Sequence, residues 1–551
     1  MASIIESMFS RRRTLVAVAV VLALAVGALI SRGAGVVAQV APSVTVDGMA
    51  LTPGAREISP RPALGLLLPP GSGAAEFRAS LDGHPVAVEA APGRTARLDV
   101  GELPQGSHHH LDVWRAAIGP ARVGDVGLDF QVTEPLQMAA AWLISSAQTT
   151  VQVSSSRELA DVGPVADALS RAGASVHRDE RGIEGRWQPG RPARFTVPAR
   201  VRATTGAFLP ADFAVSAGAL GTLPSSRVDL SSPALPTPTG LRLQAYYITS
   251  PASRADLVRH ARQVSVLSPT FYSAAADGRL VKAVDEQTLS IARDAGVEVM
   301  PLLTNQDFSG DNARRIFASP AAVDALTAAL VTEAQARSYS GYQLDFEGLA
   351  FSDRDALSRF SQRLAERLRG AHLKYSTAVI PRKQPQATGL EQLFSHAGAY
   401  DYEALSRNAT SMSLMAYDEH TSATDPGPVA GLDWVQRVVE ASATGLDRSR
   451  LYLGVPLYHR DWPLRGAPSA GGYDEALSTA AAHDGTISWD FPSQSPFLRY
   501  SAPGDEHIVW MENRASLLAK AQVAKRMGFA GLAAWRLGLE DPGFWDLWPG
   551  R

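Results

Sequence analysis

From Leu241 onward the chain repeats one pattern eight times: a short apolar run, then a segment with helical spacing. The runs are Leu241 to Thr249, Val264 to Tyr272, Val297 to Thr304, Gly341 to Glu347, Lys374 to Pro381, Ser411 to Tyr417, Leu451 to Tyr458 and Gly531 to Leu537. Strands that alternate with helices form a parallel sheet, because a crossover of helical length is what lets the next strand start in the same direction. Eight such units close into a cylinder, so residues 241–551 are expected to form an α/β fold, a (β/α)8 TIM barrel. The helix after the fourth run is the best defined. Leu357, Phe360, Leu364 and Leu368 form one apolar stripe, Ser352 with Asp355 reads as a capping box, and Gly370 is the stop. The long stretch between the seventh and eighth runs predicts an inserted lobe over Gly472 to Val509.

The 551 residues exceed one ordinary domain, and a Pro-rich stretch, residues 231–240, reads as a linker before the barrel. Residues 43–135 carry short, partly alternating segments separated by Gly- and Pro-containing turns, the pattern of an immunoglobulin-like β-sandwich. Residues 136–230 read as a second small β-rich module with one helix, Pro164 to Ala172. Neither module clusters an acid, a base and a nucleophile, so spacing or cell-wall contact is their expected role. His108, His109 and His110 invite a metal reading, but neighbours on a strand point to opposite faces and cannot converge on one ion. Residues 1–40 hold Arg11, Arg12 and Arg13 followed by an uncharged run, Thr14 to Ile30. That order predicts either a single transmembrane anchor or a cleaved signal with Val36-Val37-Ala38 as its cleavage site, and both place the remainder outside the cytoplasm.

A net charge of -3 without a run of Lys or Arg gives no footprint for nucleic acid. The absence of cysteine excludes disulfides, thiolate metal sites and a cysteine nucleophile.

In a closed barrel the reactive groups stand at the C-terminal ends of the strands. The fourth run ends Gln343-Leu344-Asp345-Phe346-Glu347, and a period of two puts Gln343, Asp345 and Glu347 on the inward face. Two carboxylates that close cannot both ionise cheaply, so one is held protonated and can act as a general acid. No third inward acid is evident beside them. Met415 and Tyr417 share a face at the end of the sixth run, with Asp418 next, while Trp535 lies on the eighth and Tyr246 on the first. Aromatic faces at a barrel mouth suit the apolar faces of sugar rings.

Ser340 to Glu347 resembles the Asp-x-x-Asp-x-Asp-x-Glu signature of glycoside hydrolase family 18, the chitinase-like family, with Ser340, Gln343, Asp345 and Glu347 on its four positions. Met415, Tyr417, Asp418 and Trp535 match further landmarks, and the segments Glu419 to Val429 and Val509 to Asn513 resemble a bacterial subgroup that includes spore-cortex N-acetylglucosaminidases and exported polysaccharide-processing proteins. The resemblance implies hydrolysis of an N-acetylhexosamine-containing polysaccharide, with the substrate's own 2-acetamido oxygen as nucleophile. Glu347 would be the proton donor, Asp345 would orient the acetamido group, and Tyr417 would hydrogen-bond its carbonyl. Trp535 would floor the subsite, with Asp418, Met415, Gln343 and Tyr246 contacting substrate. No metal or organic cofactor is implied. Ser340 and Gln343 depart from the pattern, each replacing an aspartate, although Gln343 is expected to hydrogen-bond Asp345. The alternative reading is a catalytically silent carbohydrate-binding protein or wall scaffold on the same barrel.

Overall fold

The computed structural model describes residues 41–51, 57–116, 122–179, 182–188, 193–217, 224–232, 235–383 and 396–548. The apolar segment Thr14 to Ile30 lies outside them. Among the described residues no single helix is long and apolar enough to cross a membrane.

The chain divides into two compact units. The first comprises residues up to Gln137 together with Arg157–Val162 and Pro198–Asp212. Its strands form one nine-stranded sheet, in which His84–Ala91 pairs with Phe77–Leu81 through one part of its length and with Thr95–Asp99 through the other. The two halves of the sheet share one apolar core: Val44, Leu64, Leu66 and Leu98 come from one side, and Phe77, Leu111, Val113 and Phe130 from the other. The neighbouring histidines take separate partners. His109 lies 2.6 Å from Asp82 and 2.6 Å from Ser107. His110 lies 2.6 Å from Asp129.

The second unit holds the barrel, and Met138–Ser156, Gly163–Val197 and the residues from Phe213 onward belong to it. Met138–Ile144, Thr149–Ser155, Ser175–Asp179, Gly182–Trp187 and Ser225–Leu230 make a five-stranded antiparallel sheet. One face packs Trp142 against Trp187 and Phe195. The other buries Ala141 and Leu143 against Tyr473, Leu477, Ile487, Leu498 and Met511 of the barrel's insert. Every residue from Met138 to Leu143 is therefore buried. The Pro-rich stretch is also tied down: the carbonyl oxygens of Pro236 and Thr239 accept hydrogen bonds from Gln522 and Lys525. Packing thus continues across the segment read as a linker.

The barrel strands are β1 Arg242–Tyr247, β2 Val266–Pro269, β3 Glu298–Asn305, β4 Gly341–Asp345, β5 Lys374–Val379, β6 Ser411–Leu414, β7 Leu451–Pro456 and β8 Gly531–Trp535. All neighbours are parallel and β8 pairs with β1. The cylinder closes through β3, whose first part (Glu298–Val299) pairs with β2 and whose second (Leu302–Asn305) pairs with β4. The break falls at Pro301, which has no N–H to give to a ladder. Leu357, Phe360, Leu364 and Leu368 are buried along helix Arg354–Gly370, as their spacing requires. The cap differs from expectation. Asp353, not Ser352, starts this helix, and its carboxylate accepts the Ala350 N–H at 2.9 Å and pairs with Arg314 at 2.8 Å. The bond to Ala350 closes the preceding 3-10 turn, Phe351–Asp353, and the Asp353 side chain makes no cap bond to the helix that follows it. The insert begins earlier than Gly472. His459–Pro463 is already a strand of its five-stranded antiparallel sheet, and helix Tyr473–Ala482 lies within the same insert.

Candidate active site

The inside of this barrel carries a buried polar layer, Gln244, Ser268, Gln343, Ser376 and Ser413, where branched aliphatics usually dominate. Gln343 of β4 is fully buried, and its amide N–H groups donate to Ser376 at 3.2 Å and Ser413 at 3.0 Å. Its carbonyl accepts from Gln244 of β1 at 2.8 Å, and Ser413 donates to the Gln244 carbonyl at 3.1 Å. Gln244, Gln343 and Ser413 therefore close a ring of hydrogen bonds. This corrects two expectations about Gln343: its amide is spent on this ring rather than on Asp345, and it does not line the cleft where substrate would lie. β1 and β6 supply better-placed partners than a neighbour on its own strand.

One step further along the inward face stands Asp345, still paired in register with Thr304. Its carboxyl is buried, and its Oδ1 has no hydrogen-bond partner among the described residues. Burial first, and then the charge of Glu347, pushes its pKa well above the ordinary carboxylate range. Glu347 lies beyond the end of β4, where the ladder has stopped. The side chain of Asn305 replaces the missing rungs. Its Oδ1 accepts the Glu347 N–H at 2.9 Å and its Nδ2 donates to the Glu347 carbonyl at 2.9 Å. The Glu347 carboxyl is also raised, by burial and then by the charge of Asp418.

These groups line a cleft of about 930 Å³ at the C-terminal ends of the strands. Tyr246, Met415, Tyr417, Asp418 and Trp535 line it too. Tyr246 packs against Trp535 with ring centroids 5.2 Å apart, and its hydroxyl is buried above Ser413 and Gln343. Burial raises the Tyr417 hydroxyl pKa well above the ordinary value. Asp418 has a left-handed φ of 61° that turns its carboxylate to the insert, where Tyr458 donates to it and Arg460 donates at 2.6 Å. Glu419 lies on the same wall, held by the Gly431 N–H at 2.7 Å and raised chiefly by burial. The cleft thus holds further acids beside the expected pair. Asp418 is already engaged by a cation and a phenol.

Sequence reasoning missed Asn305, Phe308, Trp434, Tyr458 and Arg460. Asn305 is the last residue of β3 and belongs to no motif, and Tyr458 and Arg460 lie where the seventh run passes into the insert. Phe308 lines the cleft from the 3-10 turn Gln306–Phe308, and Trp434 from the first turn of helix Leu432–Ala443. Among the described residues no group of three or more His, Asp or Glu side chains is arranged to hold a metal ion.

The model of the family "Glycosyl hydrolases family 18" matches residues 243–540. The cortical fragment-lytic enzyme of Bacillus subtilis is 28% identical over 285 residues, which is 50% of this chain and 65% of that protein. The crystal structure of a chitinase from Chromobacterium violaceum superposes with a TM-score of 0.52 at 27% identity, covering 56% of this chain and 97% of that one. The spore cortex-lytic enzyme SleL of Bacillus megaterium gives a TM-score of 0.52 at 26% identity, with coverages of 57% and 74%.

Proposed function

The chain belongs to glycosyl hydrolase family 18, and we propose that this glycosidase cleaves β-linked N-acetylglucosamine in an extracytoplasmic polysaccharide with retention at the anomeric carbon. The observation that carries the reading is a buried, unpartnered polar atom on the cleft, Asp345 Oδ1. A buried polar atom without a partner is costly, and the N–H of a ligand amide offers what this carboxyl oxygen lacks. The 2-acetamido group of the sugar is such an amide.

Glu347 gives its proton to the glycosidic oxygen while the acetamido oxygen attacks the anomeric carbon. The leaving sugar departs with that proton, and a cyclic oxazolinium ion remains. Asp345 accepts the acetamido N–H, and in its anionic form it balances the positive charge of the ring. Tyr417 supports the acetamido carbonyl, and Trp535 floors the sugar. Glu347, now a carboxylate, takes a proton from water as the oxygen of that water opens the ring. Asp418 is a poor candidate for a protein nucleophile because Arg460 and Tyr458 hold its carboxylate.

Chitin oligomers, peptidoglycan and poly-N-acetylglucosamine, offered in parallel with de-N-acetylated polymer, test the reading. Glu347→Gln should lower turnover by about 10²- to 10⁴-fold with sugar binding retained, and de-N-acetylated polymer should resist. Equal binding by wild type and Glu347→Gln with no cleavage by either would leave a carbohydrate-binding protein instead. The segment Thr14 to Ile30 behind Arg11 to Arg13 supports the extracytoplasmic location. A topology reporter fused after Val40 that is active only in the cytoplasm would overturn it.

A further inference from the structure

The loop that follows β3 binds itself to the end of β4 more closely than a connecting loop needs to. Asn305 is fully buried, and besides its two bonds to the Glu347 backbone its Nδ2 donates to the Ser309 carbonyl at 3.0 Å. Asn312 donates to the Gln306 carbonyl at 3.2 Å, and Ser309 caps helix Gly310–Ala318. Between these anchors Asp307 and Phe308 hold φ values of 58° and 48°, a left-handed pair that non-glycine residues rarely adopt. The backbones are also interlocked. A Cβ on Gly348 would run into the Phe308 carbonyl oxygen, and one on Gly310 would run into the Gly348 carbonyl oxygen. The ring carried by this forced loop is 46% exposed and lines the cleft. Backbone strain that persists at a cleft is held there by its surroundings and points to use.

We propose that Asn305 ties an aromatic sugar subsite at Phe308 to the proton donor Glu347, so that occupying the one fixes the position of the other. The ligand is the apolar face of a pyranose ring beside the scissile bond, stacked on Phe308. Asn305 is a positioning residue: it touches neither sugar nor proton, and it acts through the backbone of Glu347. The inference rests on the hydrolytic reading above.

Steady-state kinetics of the full chain on chitin hexasaccharide, with Phe308→Ala, Phe308→Trp, Asn305→Ala and the double variant Phe308→Ala/Asn305→Ala, tests it. Phe308→Ala should raise KM and also lower kcat, together by about 10-fold in kcat/KM, and Phe308→Trp should restore both. Asn305→Ala should lower kcat by about 10²-fold and shift the basic limb of the kcat profile, because the acid is no longer held in its buried setting. The double variant should lose less than the product of the single losses, since each breaks the same link. Multiplicative losses, or an Asn305→Ala variant altered only in melting temperature, would overturn the coupling. If wild type cleaves nothing, the hydrolytic reading fails separately. The subsite is then judged by hexasaccharide affinity, which Phe308→Ala must lower and otherwise refutes.

Discussion

Gly454 of β7 lies against Tyr417: a methyl group there would sit 3.0 Å from Tyr417 Cε1 and 3.0 Å from Met415 Cα, and would strike the Leu414 carbonyl oxygen. Strand β6 and its tyrosine come this close to β7 only because Gly454 has no side chain. Gly454→Ala should therefore displace Tyr417, lowering turnover by about 10- to 100-fold and stability by about 1–3 kcal/mol. Denaturant unfolding and kinetics beside Tyr417→Phe check this, and wild-type turnover would show that the tyrosine tolerates movement.

The pKa of Glu347 is raised by burial and then by Asp418. Asp418→Asn removes that negative charge, which favours the ionised form of Glu347. A proton donor that ionises more easily loses function at lower pH, so the basic limb of kcat against pH should move down. A limb that stays in place would mean that Asp418 does not act on Glu347.

Asp345 sets activity against stability. Its pKa is raised in the fold by burial and then by Glu347, so the folded chain holds that proton more tightly than the unfolded chain does. The stability this contributes is fully present below the ordinary carboxylate value and is lost as pH rises through the raised one. Asparagine cannot ionise. Asp345→Asn should thus melt higher than wild type at neutral pH, with the gap closing in acid, while losing activity. Thermal melts across pH read this directly; a gap independent of pH would refute it.

Glu512 and Lys520 form a 2.7 Å ion pair from which solvent is excluded. Removing one partner of such a pair costs about 3–5 kcal/mol, because the other charge is left buried alone. Lys520→Met should be destabilised by that order, and Lys520→Met/Glu512→Leu should recover most of it. Urea unfolding of the single and double variants decides, and additive losses would count against the pairing.

The face that Ala141 and Leu143 cover on the insert predicts the fate of fragments. A chain starting at Pro238 would expose Tyr473, Leu477, Ile487, Leu498 and Met511 and should aggregate. One starting at Ser43, which keeps the segments of both units together, should stay soluble. Size-exclusion profiles of the two fragments test this, and a monomeric, cooperative fragment from Pro238 would show that the shared core is dispensable.

The barrel was legible because each strand is a run long enough to cross it once, and all eight observed strands fall within or one residue beyond the runs read from the chain. Asp345 and Glu347 were legible because period two decides which side chains face inward. Contacts that join distant segments were not. Gln343 was assigned to Asp345 because they are neighbours on one strand, whereas its partners Gln244 and Ser413 lie 99 and 70 residues away. Nothing local to Asn305 announces that its amide stands in for a strand. One signal was there to be read: Met138 to Ile144 is apolar at every position, which is the mark of a strand covered on both faces.

The ring of Gln244, Gln343 and Ser413 beneath Asp345 contains only amides and a hydroxyl, none of which gains or loses a proton in the working range of an enzyme. It therefore behaves as an electrical insulator in the barrel's axis. The ring itself adds no charge next to Asp345, and the ionised groups Arg242, Glu298 and Lys374 lie on its far side. The charge that acts on Asp345 is that of Glu347, on its open side, so the two-carboxylate site works as a one-ended device.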